Sequence, residues 1–192
     1  ITAINKSHAE EVWVTCKESL YNCKISKDGD SVNYEISNNL LADTKYISGG
    51  YKICPLDDNL LFLYNESELY LLHFQNSNSN KTIRLNSIKK IDLPLDGELR
   101  IIENIDNLLW IGTNKCIYKG ILDGNKIRIV QKPEFRSQNN QVMKDLNILS
   151  ILPDTNGDVW IGTVYNGLFQ YKNENDKFIH YDFNPKDSKG IT

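Results

Sequence analysis

The stretch Asp158-Val-Trp-Ile-Gly-Thr-Val-Tyr-Asn-Gly-Leu-Phe-Gln-Tyr171 reads as two short strands closed by a turn. Val159 to Thr163 and Leu168 to Tyr171 are rich in β-branched and aromatic residues, and Tyr165-Asn166-Gly167 supplies the turn chemistry. Weaker copies recur upstream. The aromatic residue of each second strand falls at Trp13, Phe62, Trp110 and Trp160, at intervals of 49, 48 and 50 residues. An apolar residue followed by an aromatic one opens each third strand, at Leu20-Tyr21, Leu69-Tyr70, Ile117-Tyr118 and Leu168-Phe169. Two markers that keep phase through four copies make the interval, rather than any single residue, the determinant of the architecture.

Around these markers each copy contains four strand-like pieces. The first has Ile1 to Asn5, Glu11 to Cys16, Leu20 to Ile25 and Val32 to Ile36, with Asp28-Gly29-Asp30 as its clearest turn. The second has Tyr51 to Pro55, Leu60 to Tyr64, Leu69 to Phe74 and a fourth strand near Thr82 to Leu85, after a long loop. The third has Leu99 to Glu103, Leu108 to Thr113, Ile117 to Ile121 and Lys126 to Val130; the fourth has Asn147 to Leu152, Asp158 to Thr163, Leu168 to Tyr171 and Lys177 to Tyr181. No window carries a competing helical period. The pattern predicts an all-β chain, residues 1–192, forming a partial β-propeller of four tandem four-stranded antiparallel blades at about 1–46, 47–97, 98–145 and 146–192. The tryptophans are expected in the core, as wedges between adjacent blades.

Composition narrows the function classes. With 40% hydrophobic and 24% charged residues and a net charge of -3, the chain lacks the positive charge that nucleic acid demands. It opens at Ile1 in mid-pattern, so the want of a leader says nothing about targeting. Cys16, Cys23, Cys54 and Cys116 have no Cys-x-x-Cys spacing and read as free thiols, and His8, His73 and His180 stand alone, so neither a metal site nor a cofactor is expected. Asn-x-Ser/Thr triplets at Asn5, Asn65 and Asn80 are chance matches in an asparagine-rich chain, and the tract Asn76 to Asn80 reads as surface loop.

Catalytic signatures fail on inspection. Asp154-Thr-Asn-Gly-Asp158 begins like a calcium loop, but its glycine comes too early and position twelve would be Tyr165. A plain turn with Gly157 at positive φ fits better. Asp57-Asp58, Glu66, Glu68 and Asp123 fall in turns, where solvated charge is the default. There is no Gly-x-Ser-x-Gly, no phosphate-cradling loop and no His-Glu-x-x-His, and no enzymatic role is expected of this segment.

Trp160-Ile-Gly-Thr, followed by Gly167-Leu168 and Tyr171, resembles the two-component regulator propeller repeat. The third copy matches in Trp110-Ile-Gly-Thr with Cys116 in place of the glycine; the first keeps Trp13-Val-Thr, and the second, with Phe62, departs furthest. Asn184 to Ser188 and Gly190-Ile-Thr192 resemble the lead-in to a further repeat. The resemblance implies the periplasmic sensor region of a membrane-anchored hybrid two-component system histidine kinase, with oligosaccharides as ligands and with further blades in the parent chain. A scaffold for protein contact, such as receptor dimerisation, is the alternative it leaves open.

Sugars are held by flat aromatic faces and planar polar groups at a concave surface. In a propeller that surface is built from the turns between second and third strands and from inter-blade loops. The candidates are therefore Lys17 and Glu18, Glu66, Asn114 and Lys115, and Tyr165 and Asn166, with Tyr51 and Phe135 to Asn139 from the loops. Tyr165 stands out, since a turn gives no packing reason for an aromatic. Four blades in an open arc would leave two sheet faces bare, so self-association is also expected.

Overall fold

The computed structural model describes residues 3–8, 11–28, 31–42, 44, 50–76 and 83–182. Gly29, Asp30, residues 77–82 and residues 183–192 lie outside them, and with them the tip of the first expected turn, most of the asparagine tract and the lead-in to a further repeat. The described residues form sixteen strands in four antiparallel sheets, each a meander of four consecutive strands. The first sheet is β1 (Ala3–His8), β2 (Glu11–Cys16), β3 (Ser19–Asp28) and β4 (Ser31–Ile36). The second is β5 (Lys52–Pro55), β6 (Leu60–Tyr64), β7 (Leu69–Asn76) and β8 (Ile83–Lys90). The third is β9 (Leu99–Ile105), β10 (Leu108–Thr113), β11 (Ile117–Asp123) and β12 (Lys126–Gln131). The fourth is β13 (Ile148–Pro153), β14 (Val159–Thr163), β15 (Leu168–Lys172) and β16 (Lys177–Tyr181). Each sheet is a β-propeller blade. Several strands run further than expected, β1 to His8 and β3 to Asp28 among them, and the fourth strand of the second blade extends to Lys90, carried by Ser87 and Ile88 pairing with His73 and Leu72 across a bulge.

The chain divides into two compact units, Ile1–Asp92 and Leu93–Thr192, each holding two sheets. Register assigns each side chain to a face, because directly opposed residues of an antiparallel pair point the same way. One face of every sheet carries the aromatic marker, Trp13, Phe62, Trp110 or Trp160, and is called here the tryptophan face. In the first unit, Trp13 and Leu20 on the tryptophan face of the first sheet pack against Ile53, Leu61, Leu63, Leu72 and Phe74 on the opposite face of the second. Trp13 meets Phe74 with ring centroids 4.8 Å apart, and Thr15 Oγ1 donates to the Tyr51 carbonyl at 2.8 Å.

The second unit repeats this arrangement. Trp110, Ile117, Ile101 and Leu108 on the tryptophan face of the third sheet pack against Val159, Ile161, Phe169 and Tyr171 of the fourth. Trp110 meets Tyr171 edge-on at 5.0 Å. Between them lies Lys119, whose Nζ sits 4.5 Å from the Trp110 ring centroid and 3.7 Å from that of Tyr171. Burial lowers the pKa of this ammonium, while Asp176 in the β15–β16 turn, 3.5 Å away and also bonded by the Tyr171 hydroxyl, raises it in part. Trp13 and Trp110 are each 2% exposed, as expected of wedges; Trp160 differs, being only half-buried, with its ring against Tyr181 of its own sheet.

Gly112 is a point of close approach in this interface. A Cβ there would lie 2.6 Å from Ile148 Cγ2 and 2.8 Å from Ile101 Cγ2. Gly112→Ala should destabilise the protein by about 1–3 kcal/mol through overpacking, read as a lowered urea midpoint with an unchanged slope. Glu103, opposite Trp110 in the register, has its carboxyl pushed up to about 7 by burial alone. The folded-state value lies above the unfolded one, so this group leaves stability untouched in acid and lowers it as pH rises from about 4.5 to 7. Glu103→Gln should therefore gain about 1–3 kcal/mol at pH 8, with allowance for partial exposure, and little at pH 4; equal gains at both would contradict this assignment.

Candidate functional site

The turns between second and third strands of the third and fourth sheets share one closing device. In the fourth sheet the Thr163 N–H donates to the Gly167 carbonyl at 3.2 Å, and Thr163 Oγ1 accepts from the Asn166 N–H at 2.9 Å while donating to Gly167 O at 2.8 Å. Gly167 adopts φ 71 to complete the turn. In the third sheet Thr113, fully buried, accepts from the N–H groups of Lys115 and Cys116 at 3.1 and 3.0 Å. The second sheet has neither threonine nor glycine here, and Asn65 Oδ1 takes over, accepting from Ser67 N and Glu68 N at 2.9 Å each. In the third sheet the Trp-Ile-Gly-Thr signature thus has three tasks: an interface ring, a close approach and a turn clamp.

Loop 132–147 lies against two of these turns. Leu146 N donates to Lys115 O at 3.1 Å, Asn147 N to Asn114 O at 3.2 Å, and Val164 N to Asn147 O at 3.0 Å. The backbone of Asn147 therefore joins the Asn114-Lys115 turn to the Tyr165-Asn166 turn, so these four candidates share one side of the second unit. The loop holds Asn140, Asp145 and Asn147 at φ 61, 53 and 47, a left-handed conformation that Asn and Asp tolerate best. Beneath it opens a cleft of about 430 Å³ lined by Asp96, Lys115, Lys132, Lys144 and Asp145, with Phe135 against its wall. Lys115 Nζ pairs with Asp96 Oδ1 at 2.6 Å, which raises the pKa of the lysine and lowers that of the carboxyl. Lys132 lies 5.3 Å from the Tyr118 ring centroid, and the Tyr118 hydroxyl accepts from Asp96 N at 2.9 Å. The lysines at 132 and 144 and the three carboxylate or ring partners were missed in the sequence, since all but Tyr118 sit in unpatterned loops. A Lys-Pro at 132–133 and an Asp-x-Asn at 145–147 were the available signals.

The other candidates separate by burial. Tyr165 is 86% exposed at its turn tip. Its turn is braced from behind by His180, which stacks on Phe169 at 4.5 Å and donates from Nε2 to Asn166 O at 2.8 Å. Asn114 is committed to structure, its Oδ1 accepting from Glu98 N at 2.9 Å. Tyr51 is buried, donating to Glu68 Oε2 at 2.7 Å, so it offers no surface; Glu68 also accepts from Lys90 at 2.8 Å and is not simply solvated. Phe135 is buried too, against Phe169 and Phe178 at 4.9 and 4.3 Å, because the loop needs an anchor in the core. Lys17, at φ 52, Glu18 and Glu66 occupy the corresponding exposed turns of the first unit. Asp154 to Asp158 is a plain turn with Gly157 at φ 80; Asp154 is spent on Asn156 N, Asp158 N and Trp160 Nε1. The four cysteines are free thiols, and among the described residues no group of His, Cys, Asp and Glu is placed to hold a metal. No helix among them is long and apolar enough to cross a membrane.

Residues 143–165 match the two component regulator propeller. The match runs from the cleft's Met143 through Asn147 to Tyr165, the segment that joins the two turns. No curated protein matches this chain by sequence. Among solved structures, the extracellular domain of a one component system from B. thetaiotaomicron is similar at a TM-score of 0.59 and 18% identity, over 97% of this chain. The chain spans 22% of the length of that protein. This likeness shows the fold, that of propeller blades.

Thr113→Val removes the acceptor for two backbone N–H groups in a buried position and should cost about 1–3 kcal/mol in urea unfolding, while Thr113→Ser keeps most of the stability. Equal losses for both variants would show that the methyl group, not the hydroxyl, closes the turn.

Proposed function

We propose that this chain is the ligand-recognising segment of an extracytoplasmic sensor, and that it binds an oligosaccharide in the cleft under loop 132–147. The observation that carries the reading is the cleft itself, where Lys115, Lys132 and Lys144 stand with Asp96 and Asp145 against a loop whose backbone ties two turns together, with exposed Tyr165 on the same side. Ammonium and carboxylate groups suit sugar hydroxyls as donors and acceptors, and an exposed ring suits the apolar face of a pyranose. The match of residues 143–165 to a regulator propeller repeat and the likeness to an extracellular domain support a sensor role. In this reading the parent is a periplasmic-facing, membrane-anchored histidine kinase of the hybrid two-component type, and the segment contributes binding rather than phosphotransfer. Tyr165, Asn166, Lys115, Lys132 and Lys144 are the contact residues, with Asn114 setting the turn; Lys17 and Glu66 hold the corresponding positions in the first unit. A pure protein-contact scaffold is the second reading, favoured by Tyr165, whose exposed ring suits a protein surface as well as a sugar.

Calorimetry of the chain against a panel of polysaccharide fragments tests this. One glycan should bind with sub-millimolar affinity, and Lys132→Ala and Tyr165→Ala should each weaken it about tenfold or more without changing the melting temperature. Silence across the panel, or undiminished binding by both variants, would leave the scaffold reading in its place.

A further inference from the structure

Asn-Gly occurs twice in the sequence, at Asn156-Gly157 and at Asn166-Gly167, both in turns of the fourth sheet. This dipeptide has a chemistry of its own. With no Cβ to shield it, the glycine nitrogen can attack the side-chain carbonyl carbon of the asparagine and close a succinimide ring as ammonia leaves. In a folded chain the rate depends on whether that nitrogen is free to attack and how readily it gives up its proton.

The two peptides are held differently. Gly157 N donates to the Asp154 carbonyl at 3.2 Å, which ties up the attacking nitrogen. Gly167 N makes no hydrogen bond among the described residues, and neither does the Asn166 side chain. The peptide joining Asn166 to Gly167 is engaged at its other end, where His180 Nε2 donates to Asn166 O at 2.8 Å. A donor on a peptide oxygen draws electron density from the nitrogen and makes its N–H more acidic, and the anion so formed is the nucleophile. Stacking on Phe169 at 4.5 Å keeps the imidazole in place for this bond. The turn also demands glycine at 167, since φ is 71 there and a Cβ would run into the Tyr181 carbonyl oxygen.

We infer that Asn166 is a self-modification site of this protein, deamidating through Gly167 ahead of Asn156 and with the help of His180. The bond from Gly167 N to Asn166 Cγ forms as the Cγ–Nδ2 bond breaks, and the proton lost from Gly167 N leaves with Nδ2 as ammonia. Water then opens the ring. Opening at Cγ gives aspartate; opening at the main-chain carbon gives isoaspartate, whose backbone runs through Cβ and Cγ and whose freed carboxylate is the group that His180 faced as a carbonyl. Either product adds one negative charge to the tip beside Tyr165, with no change of oxidation state. The inference is independent of the sugar reading, since it concerns a peptide bond and not a ligand.

Exposure alone predicts the opposite order, because Asn156 is exposed and Asn166 only half-buried. The folded chain is incubated in mildly alkaline buffer, digested under acid conditions that stop the reaction, and mapped by mass spectrometry with fragmentation that separates aspartate from isoaspartate. Asn166 should convert at least about threefold faster than Asn156, the factor that one net hydrogen bond on Gly157 N withholds. In concentrated urea the two rates should come within about twofold of each other, both dipeptides then being free of the fold. His180→Phe keeps a ring on Phe169 and removes the donor; Asn166 should slow by about threefold or more while Asn156, in the same molecule, keeps its rate. Asn156 converting first, or at the same rate, in the folded chain overturns the inference. A rate at Asn166 that is unchanged or raised in His180→Phe overturns the part assigned to the imidazole.

Discussion

A four-stranded antiparallel sheet with large apolar side chains on both faces cannot be soluble alone, and every other feature of this chain follows from how that constraint is met. An ordinary meander hides one face and wets the other. Here Trp13 and Leu20 fill one face of the first sheet while Tyr21 and Cys23 fill the other, so each sheet needs two neighbours. Within each unit one such need is satisfied, with a ring contact at the seam: Trp13 on Phe74 in the first, Trp110 on Tyr171 in the second. Lys119 shows how tolerant the seam is of charge, provided that charge lies against ring faces and reaches a carboxylate at the rim.

The parts legible in the sequence were those dictated by this packing. Aromatic residues near every forty-ninth position and the Gly-Thr pair that follows two of them are demanded by seam and turn geometry, and they announced strand order and blade number. Where a position answers to two needs, the sequence is ambiguous. Trp160 has the signature of a wedge but is half-buried, because burial depends on the neighbouring sheet and not on the residue. Tyr51 and Phe135 sit in loops yet act as anchors, and an aromatic in a loop looks the same whether it points to solvent or to core.

The cleft was the least legible element. Asp96, Lys132 and Lys144 come from three separated loop positions, and no period or motif connects them. What brings them together is a set of backbone bonds from Leu146, Asn147 and Val164, and backbone bonds leave little trace in side-chain identity. The left-handed conformations at Asn140, Asp145 and Asn147 are the one trace they do leave, as a preference for Asn and Asp.

The threonine clamp has an evolutionary consequence. Because Thr163 closes its hairpin with its own hydroxyl and backbone, and His180 steadies the turn through a main-chain carbonyl, nothing in the closure depends on the side chains of Val164, Tyr165 or Asn166. The tip can change its chemistry by single substitutions at almost no cost in stability. A repeat built this way separates what must be inherited from what is open to selection, so a family of such blades can diversify its recognition surface while the seams beneath it stay constant.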